Sequence, residues 1–162
     1  MMTCASLGAT RPRYVVCEDG REYIERFERF LGADFDFVSA SDYATLLARL
    51  EQDRAICGIL LDLDFRRAEK SQLVDERGQS VAHLGQQALS QYTANQGIFI
   101  LASLRERGIV KDVLLFADID GAQHATYLTR TFAPVELIPS HVGLKELKER
   151  LLSLAGRYSS TQ

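Results

Sequence analysis

Tryptophan is absent from this chain, and cysteine and proline are scarce, at three residues each. The cysteines, Cys4, Cys17 and Cys57, are odd in number and widely separated. That spacing excludes a disulfide framework or a zinc knuckle, both of which need paired cysteines. The expectation is two buried thiols and one in a tail, in a reducing compartment. No apolar run approaches the roughly 18 residues of a membrane span, and the opening MMTCASLGATRPR lacks the apolar core of a signal peptide. There is no glycine-rich phosphate loop; Asp19-Gly20 is only a turn signal. The histidines, His83, His124 and His141, show no metal spacing and sit beside no nucleophile motif. Excess positive charge is also missing. The formal net charge is −3, which argues against a nucleic-acid surface. The expectation is a cytoplasmic globular chain; it is 46% hydrophobic and 25% charged, and its 162 residues suffice for one domain with a full core.

The patterning alternates between strand-like and helix-like segments. Residues 1–12 are expected to form a flexible tail. Tyr14–Cys17 is a short apolar run. Arg21–Leu31 carries the helical stripe Ile24, Phe27 and Leu31, closed by Gly32. Phe35–Ala40 reads as a strand, and Ser41 is placed to cap a helix holding Tyr43, Leu46, Leu47 and Leu50. Ile56–Leu63 is almost unbroken apolar sequence, as expected of a central parallel strand buried on both faces. Val113–Ala117 repeats that character, Ala122–Phe132 reads as a helix, and Val135–Ile138 as a last strand. Leu144, Leu147, Leu151 and Leu154 mark a closing helix, with 157–162 as a tail. Residues 65–96 break the rhythm. Their charged opening, FRRAEKSQLVDERG, and a helix expected over Gln79–Tyr92 read as an insertion, an interaction element that is at least partly ordered. Five strands alternating with helices imply an α/β domain with a parallel sheet and right-handed crossovers. Ligands of such sheets sit at the carboxyl ends of the strands.

Those ends are acidic. The first strand runs into Glu18-Asp19, the third into Asp62 with Asp64 two residues on, and the fourth into Asp118 with Asp120 two residues on. Two unit charges about 4 Å apart repel by roughly 4 kcal/mol at an effective dielectric of 20. A cluster of this kind needs water, protons or a cation. Oxygen ligands that leave several waters in place suit Mg²⁺. Glu18, Asp19 and Asp62 together therefore point to a metal or phosphoryl site.

YVVCEDG resembles the first strand and acidic pair of bacterial response-regulator receiver domains. GILLDLDF resembles their third strand, which ends in the phospho-accepting aspartate, and IPSHVGLKELKERL resembles the end of their fifth strand and their last helix. The likeness spans about Tyr14 to Leu154, and the receiver-like domain is expected over 13–156. It implies a doubly wound, flavodoxin-like sheet in the order 2-1-3-4-5, with helices on both faces. It also implies Asp62 as acceptor, with Glu18, Asp19 and Asp62 as Mg²⁺ ligands. A carboxylate would attack phosphorus while the metal neutralises the transferring oxygens.

Two family features are missing. Ala117 stands where a Ser or Thr should end the fourth strand, and Ser140-His141 stands where Lys-Pro should end the fifth. Losing the Lys removes a charge-assisted bond that contributes roughly 1.5–3 kcal/mol. The expectation is a pseudo-receiver, not an enzyme, in which phosphorylation at Asp62 is weak or lost. It would act through protein contacts, with a histidine kinase or another signalling protein as partner or with a second copy in a homodimer. No output domain is expected on the chain. An active divergent site is the first alternative, with Arg66 or Arg67 swinging in for the Lys. The second is a Toprim-like, Mg²⁺-dependent phosphodiester enzyme, using Glu18 with Asp62-Leu63-Asp64 or the later Asp118-Ile119-Asp120-Gly121.

Overall fold

The computed structural model describes residues 10–161. Five strands form one all-parallel sheet: β1 (Arg13–Cys17), β2 (Asp36–Ala40), β3 (Ile56–Asp62), β4 (Asp112–Phe116) and β5 (Val135–Ile138). Their order is β2-β1-β3-β4-β5, the doubly wound arrangement expected. Six α-helices surround it: α1 (Glu22–Leu31), α2 (Tyr43–Gln52), α3 (Gln86–Ala94), α4 (Gln96–Glu106), α5 (Ala122–Thr131) and α6 (Leu144–Ser160). Every strand but β2, an edge strand, is largely buried or closed at its ends by buried residues, and β3 buries six of its seven positions.

Side-chain alternation along the strands splits the core in two. On one face Val16, Leu60, Leu114 and Phe116 pack with Ile24, Phe27 and Leu31 of α1 and with Leu147, Leu151 and Leu154 of α6. On the other face Val15, Cys17, Ile59, Leu61 and Leu115 pack with Tyr43 and Leu46 of α2 and with Ile100, Leu101 and Leu104 of α4. Cys17 and Cys57 are buried and free, as expected; Cys4 lies outside the described residues.

The expected insertion is built into the second face. After β3 the chain passes through a short 3₁₀ turn at Lys70–Gln72, an isolated antiparallel bridge between Val74 and Ser80, and then α3. Phe65, Leu73, Val74, Val81 and Leu89 all belong to the core cluster. Buried Gln96 clamps the bridge. Its amide donates to Val74 O at 3.0 Å and its oxygen accepts from Val74 N at 2.9 Å. At Gly78, with φ 77°, the tight turn lies against α2 and α4. An added Cβ would stand 2.7 Å from both Ser103 Oγ and Tyr43 Cε1.

Four expectations change. The helix expected over Gln79–Tyr92 is confined to α3, and Val81 and Leu84 precede it in a turn that points them at the core without helical backbone. Gln96 is not the end of the insertion but the start of α4, because its side chain satisfies backbone groups inside the core. Asp42, not Ser41, caps α2, its carboxylate accepting from Thr45 N at 2.7 Å. Residues 157–160 are helix and not tail, and the Tyr158 hydroxyl donates to Arg54 O at 2.6 Å. Of the expected N-terminal tail, residues 1–9 fall outside the described part. Pro12 O accepts from Asp36 N and Arg11 pairs with Asp36, so the segment just before β1 is attached to β2.

Candidate functional site at the carboxyl edge of the sheet

The parallel register sets Cys17 beside Leu61 and Asp62 beside Phe116, so β1, β3 and β4 end at one level. Glu18, Asp19, Asp62 and Asp118 therefore reach the same edge, as the sequence implied. The side chains then go separate ways.

Glu18 follows β1 on the α1 side and is 2% exposed. Its Oε1 accepts from Tyr23 N at 3.1 Å and its Oε2 from Ile24 N at 2.9 Å. The N-cap of α1, Arg21, makes no side-chain capping bond. A carboxylate from the end of the strand thus satisfies two otherwise unpaired donors in the first turn, where the helix dipole favours negative charge. Burial pushes the Glu18 carboxyl above its usual range, and these two N–H groups pull against that shift.

Asp19 is held by the insertion. Its Oδ2 accepts from Arg67 N at 2.7 Å, and its Oδ1 lies 3.6 Å from the Arg67 guanidinium. The same guanidinium forks onto Glu22, at 2.6 and 2.8 Å. This bidentate pair draws Glu22 down to about 2. Gly20 leaves the room for it, since an added Cβ there would lie 2.3 Å from Arg67 Nη2. Arg66, the other expected substitute for the Lys, pairs instead with Asp64 at 2.7 Å.

Asp62 receives one bond, from Leu63 N at 2.9 Å. Burial, reinforced by Asp19, Glu18 and Asp64, pushes its carboxyl up to about 7. Tyr23 lies over this part of the edge, its ring stacked 4.8 Å from that of Phe116, and burial beside Asp62, Glu18 and Asp118 lifts its hydroxyl to about 12. Ala117 is buried and offers no hydroxyl. Ser140, just after β5, donates its hydroxyl to Asp118 Oδ2 at 2.6 Å, and this bond lowers the Asp118 pKa.

The residues at this edge do not fit a Mg²⁺ ion. Glu18 has turned both oxygens into α1, and Asp19 already has a cation. Among the described residues no three acidic, histidine or cysteine side chains are gathered in a way that would hold a metal. Asp62-Leu63-Asp64 is not a free pair of ligands either, since Asp64 accepts from Arg66 N and pairs with the Arg66 guanidinium. The sequence reading found the acidic residues but missed two partners: the α1 amides that take Glu18, and Glu22 as the anchor of Arg67. A Glu at the first position of a helix directly after an acidic turn is the only signal for the second.

No family model matches this chain, and no curated protein of similar sequence was found. Its fold has close counterparts among solved structures. The signal receiver domain of a Luxo repressor protein from Vibrio parahaemolyticus superposes with a TM-score of 0.65 at 14% identity, over 94% of this chain and 95% of that one. The receiver domain of the Francisella response regulator 1452 gives 0.64 at 16% identity, over 94% and 100%. A CheY-like response-regulator receiver domain protein from Methanospirillum hungatei JF-1 gives 0.59 at 12% identity, over 94% and 100%. The chain has the fold of response-regulator receiver domains, and the acidic edge lies at the strand ends where the sequence resemblance put it.

Proposed function

We propose that this protein is a pseudo-receiver, a cytoplasmic signalling or scaffolding module that keeps the receiver fold and acts through protein contacts without phosphorylation of Asp62. The observation that carries the reading is Glu18. The residue that would help hold a metal beside Asp62 has both carboxylate oxygens closed on the first turn of α1. The other groups agree. Ala117 has no hydroxyl for a phosphoryl oxygen, Ser140 has neither the reach nor the charge of a lysine and is bonded to Asp118, and burial pushes the Asp62 carboxyl up to about 7, which disfavours the ionised form that a nucleophile needs.

Its partners are other signalling proteins or a second copy. Receivers commonly use the face that corresponds here to α5, β5 and α6. Tyr127 on α5 is 58% exposed there, with its ring edge-on to Phe132. Among the described residues no helix is long and apolar enough to cross a membrane.

Acetyl phosphate with Mg²⁺ tests the reading. Intact-mass spectrometry should show no phosphorylated species at times that load an ordinary receiver, and hydroxylamine trapping should find no modified Asp62. Stoichiometric, hydroxylamine-sensitive label at Asp62, lost in Asp62→Asn, would establish an active divergent receiver instead.

A further inference from the structure

Three independent placements converge on Arg67. Its main-chain N–H binds Asp19 at 2.7 Å, its guanidinium forks onto Glu22 at 2.6 and 2.8 Å, and the same group stands 3.6 Å from the second Asp19 oxygen. The side chain of Asp19 is only 5% exposed, so its charge is largely removed from water. A desolvated carboxylate next to Glu18, Asp62 and Asp64 needs a counter-charge. Of the other basic side chains near this edge, Arg66 pairs with Asp64, Arg21 with Glu25, and Arg49 donates to Ser39 O. Gly20 is where the guanidinium packs against the β1–α1 turn. A Cβ added there would meet Arg67 Nη2 and Glu22 Oε2, both at 2.3 Å.

We infer that Arg67 is the resident counter-cation of the acidic edge, standing in for a divalent metal and fastening the insertion to the turn between β1 and α1. This inference deepens the pseudo-receiver reading and rests on it. The insertion that follows Arg67 is not an appendage. It runs from the Asp19 contact through Gln72, whose amide donates to Asp42 at 3.0 Å, into the core positions Leu73 and Val74. The guanidinium is thereby tethered at both sides of its chain. A tethered cation differs from a metal in two ways. It cannot be removed by chelation, and it presents planar N–H donors where a metal would recruit oxygen ligands and waters. It also sets a positive charge beside Asp19, which repels any divalent cation approaching that carboxylate. Asp19 therefore has a counter-charge that does not depend on metal supply.

The test is a Mn²⁺ titration of the full ¹⁵N-labelled chain, read by paramagnetic broadening of amide signals, for wild type, Arg67→Gln and Gly20→Val. Arg67→Gln removes the charge. Gly20→Val keeps the charge but displaces the guanidinium from the turn. Unchanged dispersion of the core amides confirms that each variant is folded, and with the Arg67 side chain 60% exposed the Gln variant is expected to be. Wild type should show no selective broadening at Asp19, Gly20 and Leu63 in the millimolar range. Both variants should gain it, with apparent affinity for Mn²⁺ rising about tenfold or more. A folded Arg67→Gln variant with no gain would overturn the counter-cation assignment while leaving the pseudo-receiver reading intact. Selective broadening in wild type at the same concentration as in the variants would overturn it as well. If that wild-type site also supported labelling of Asp62 by acetyl phosphate, the pseudo-receiver reading would fall with it.

Discussion

Asp62 is a carboxyl in the wrong solvent. β3 delivers it at the end of a strand whose preceding six residues are buried. One backbone N–H does not offset that desolvation, and Asp19, Glu18 and Asp64 add negative charge nearby. Its folded pKa of about 7 stands above the ordinary 3.8. Between those values the folded protein binds more protons than the unfolded chain, so Asp62 makes stability fall as pH rises through this window and level off above it. Asp62→Asn removes the cost of the charge. The variant should gain on the order of 2 kcal/mol at pH 8, after allowance for the water that still reaches the group, and nothing at pH 4. Paired urea titrations at the two pH values check this. A variant equally stable or destabilised at pH 8 would contradict the burial argument. The presence of these carboxylates at the strand ends was legible in the sequence, because strand period and parallel topology alone fix it. Their orientation was not. Whether Glu18 points to a ligand or back into α1 depends on the length of the turn between β1 and α1, and Arg21–Leu31 read as a helix without showing which group would serve as its cap.

At the scale of elements, the strands were the most legible part. Val135–Ile138 matches β5, and the apolar runs of β1, β3 and β4 match within a residue or two, because a strand buried on both faces leaves a continuous hydrophobic signature. The insertion was legible only as an interruption. Val81, Leu84, Ala88 and Leu89 have helix-like spacing, yet the helix begins at Gln86, since Val81 and Leu84 reach the core from a turn. Nor does composition reveal that Gln96 is a core residue or that Arg105 donates to Phe132 O, Ile109 O, Lys111 O and Pro134 O, at 2.9, 2.7, 2.9 and 2.8 Å. Polar side chains that satisfy distant carbonyls carry no periodic signal. Gln96 offers the sharper prediction. Gln96→Leu would keep its bulk but strand the Val74 N–H and C=O inside the core, and should cost about 2–4 kcal/mol. Denaturation midpoints measure it. Faster amide exchange in the Leu73–Val81 segment should accompany the loss, whereas a loss below about 1 kcal/mol would mean that water replaces the clamp.

The whole molecule is a sheet covered on both faces, with α1 and α6 on one side and α2, α4 and the insertion on the other. That arrangement explains why the side chains at the strand ends can pair among themselves without disturbing the fold. The two core clusters lie below the strand ends and hold the sheet together, so the acidic residues above them are free to take new partners. Here α1 takes Glu18, Arg67 takes Asp19, and Ser140 takes Asp118. Each of these contacts joins a carboxylate at a strand end to a neighbouring segment of the edge. The proposed pseudo-receiver has no switch left. Beryllofluoride with Mg²⁺, which mimics a phosphoryl group on aspartate, tests it most directly when amide chemical shifts are followed in wild type and Asp62→Asn. A protein without the switch gives the same spectrum before and after addition, from Glu18 through α5. Shifts spreading from Asp62 to α5 and β5 in wild type, and absent in Asp62→Asn, would contradict it.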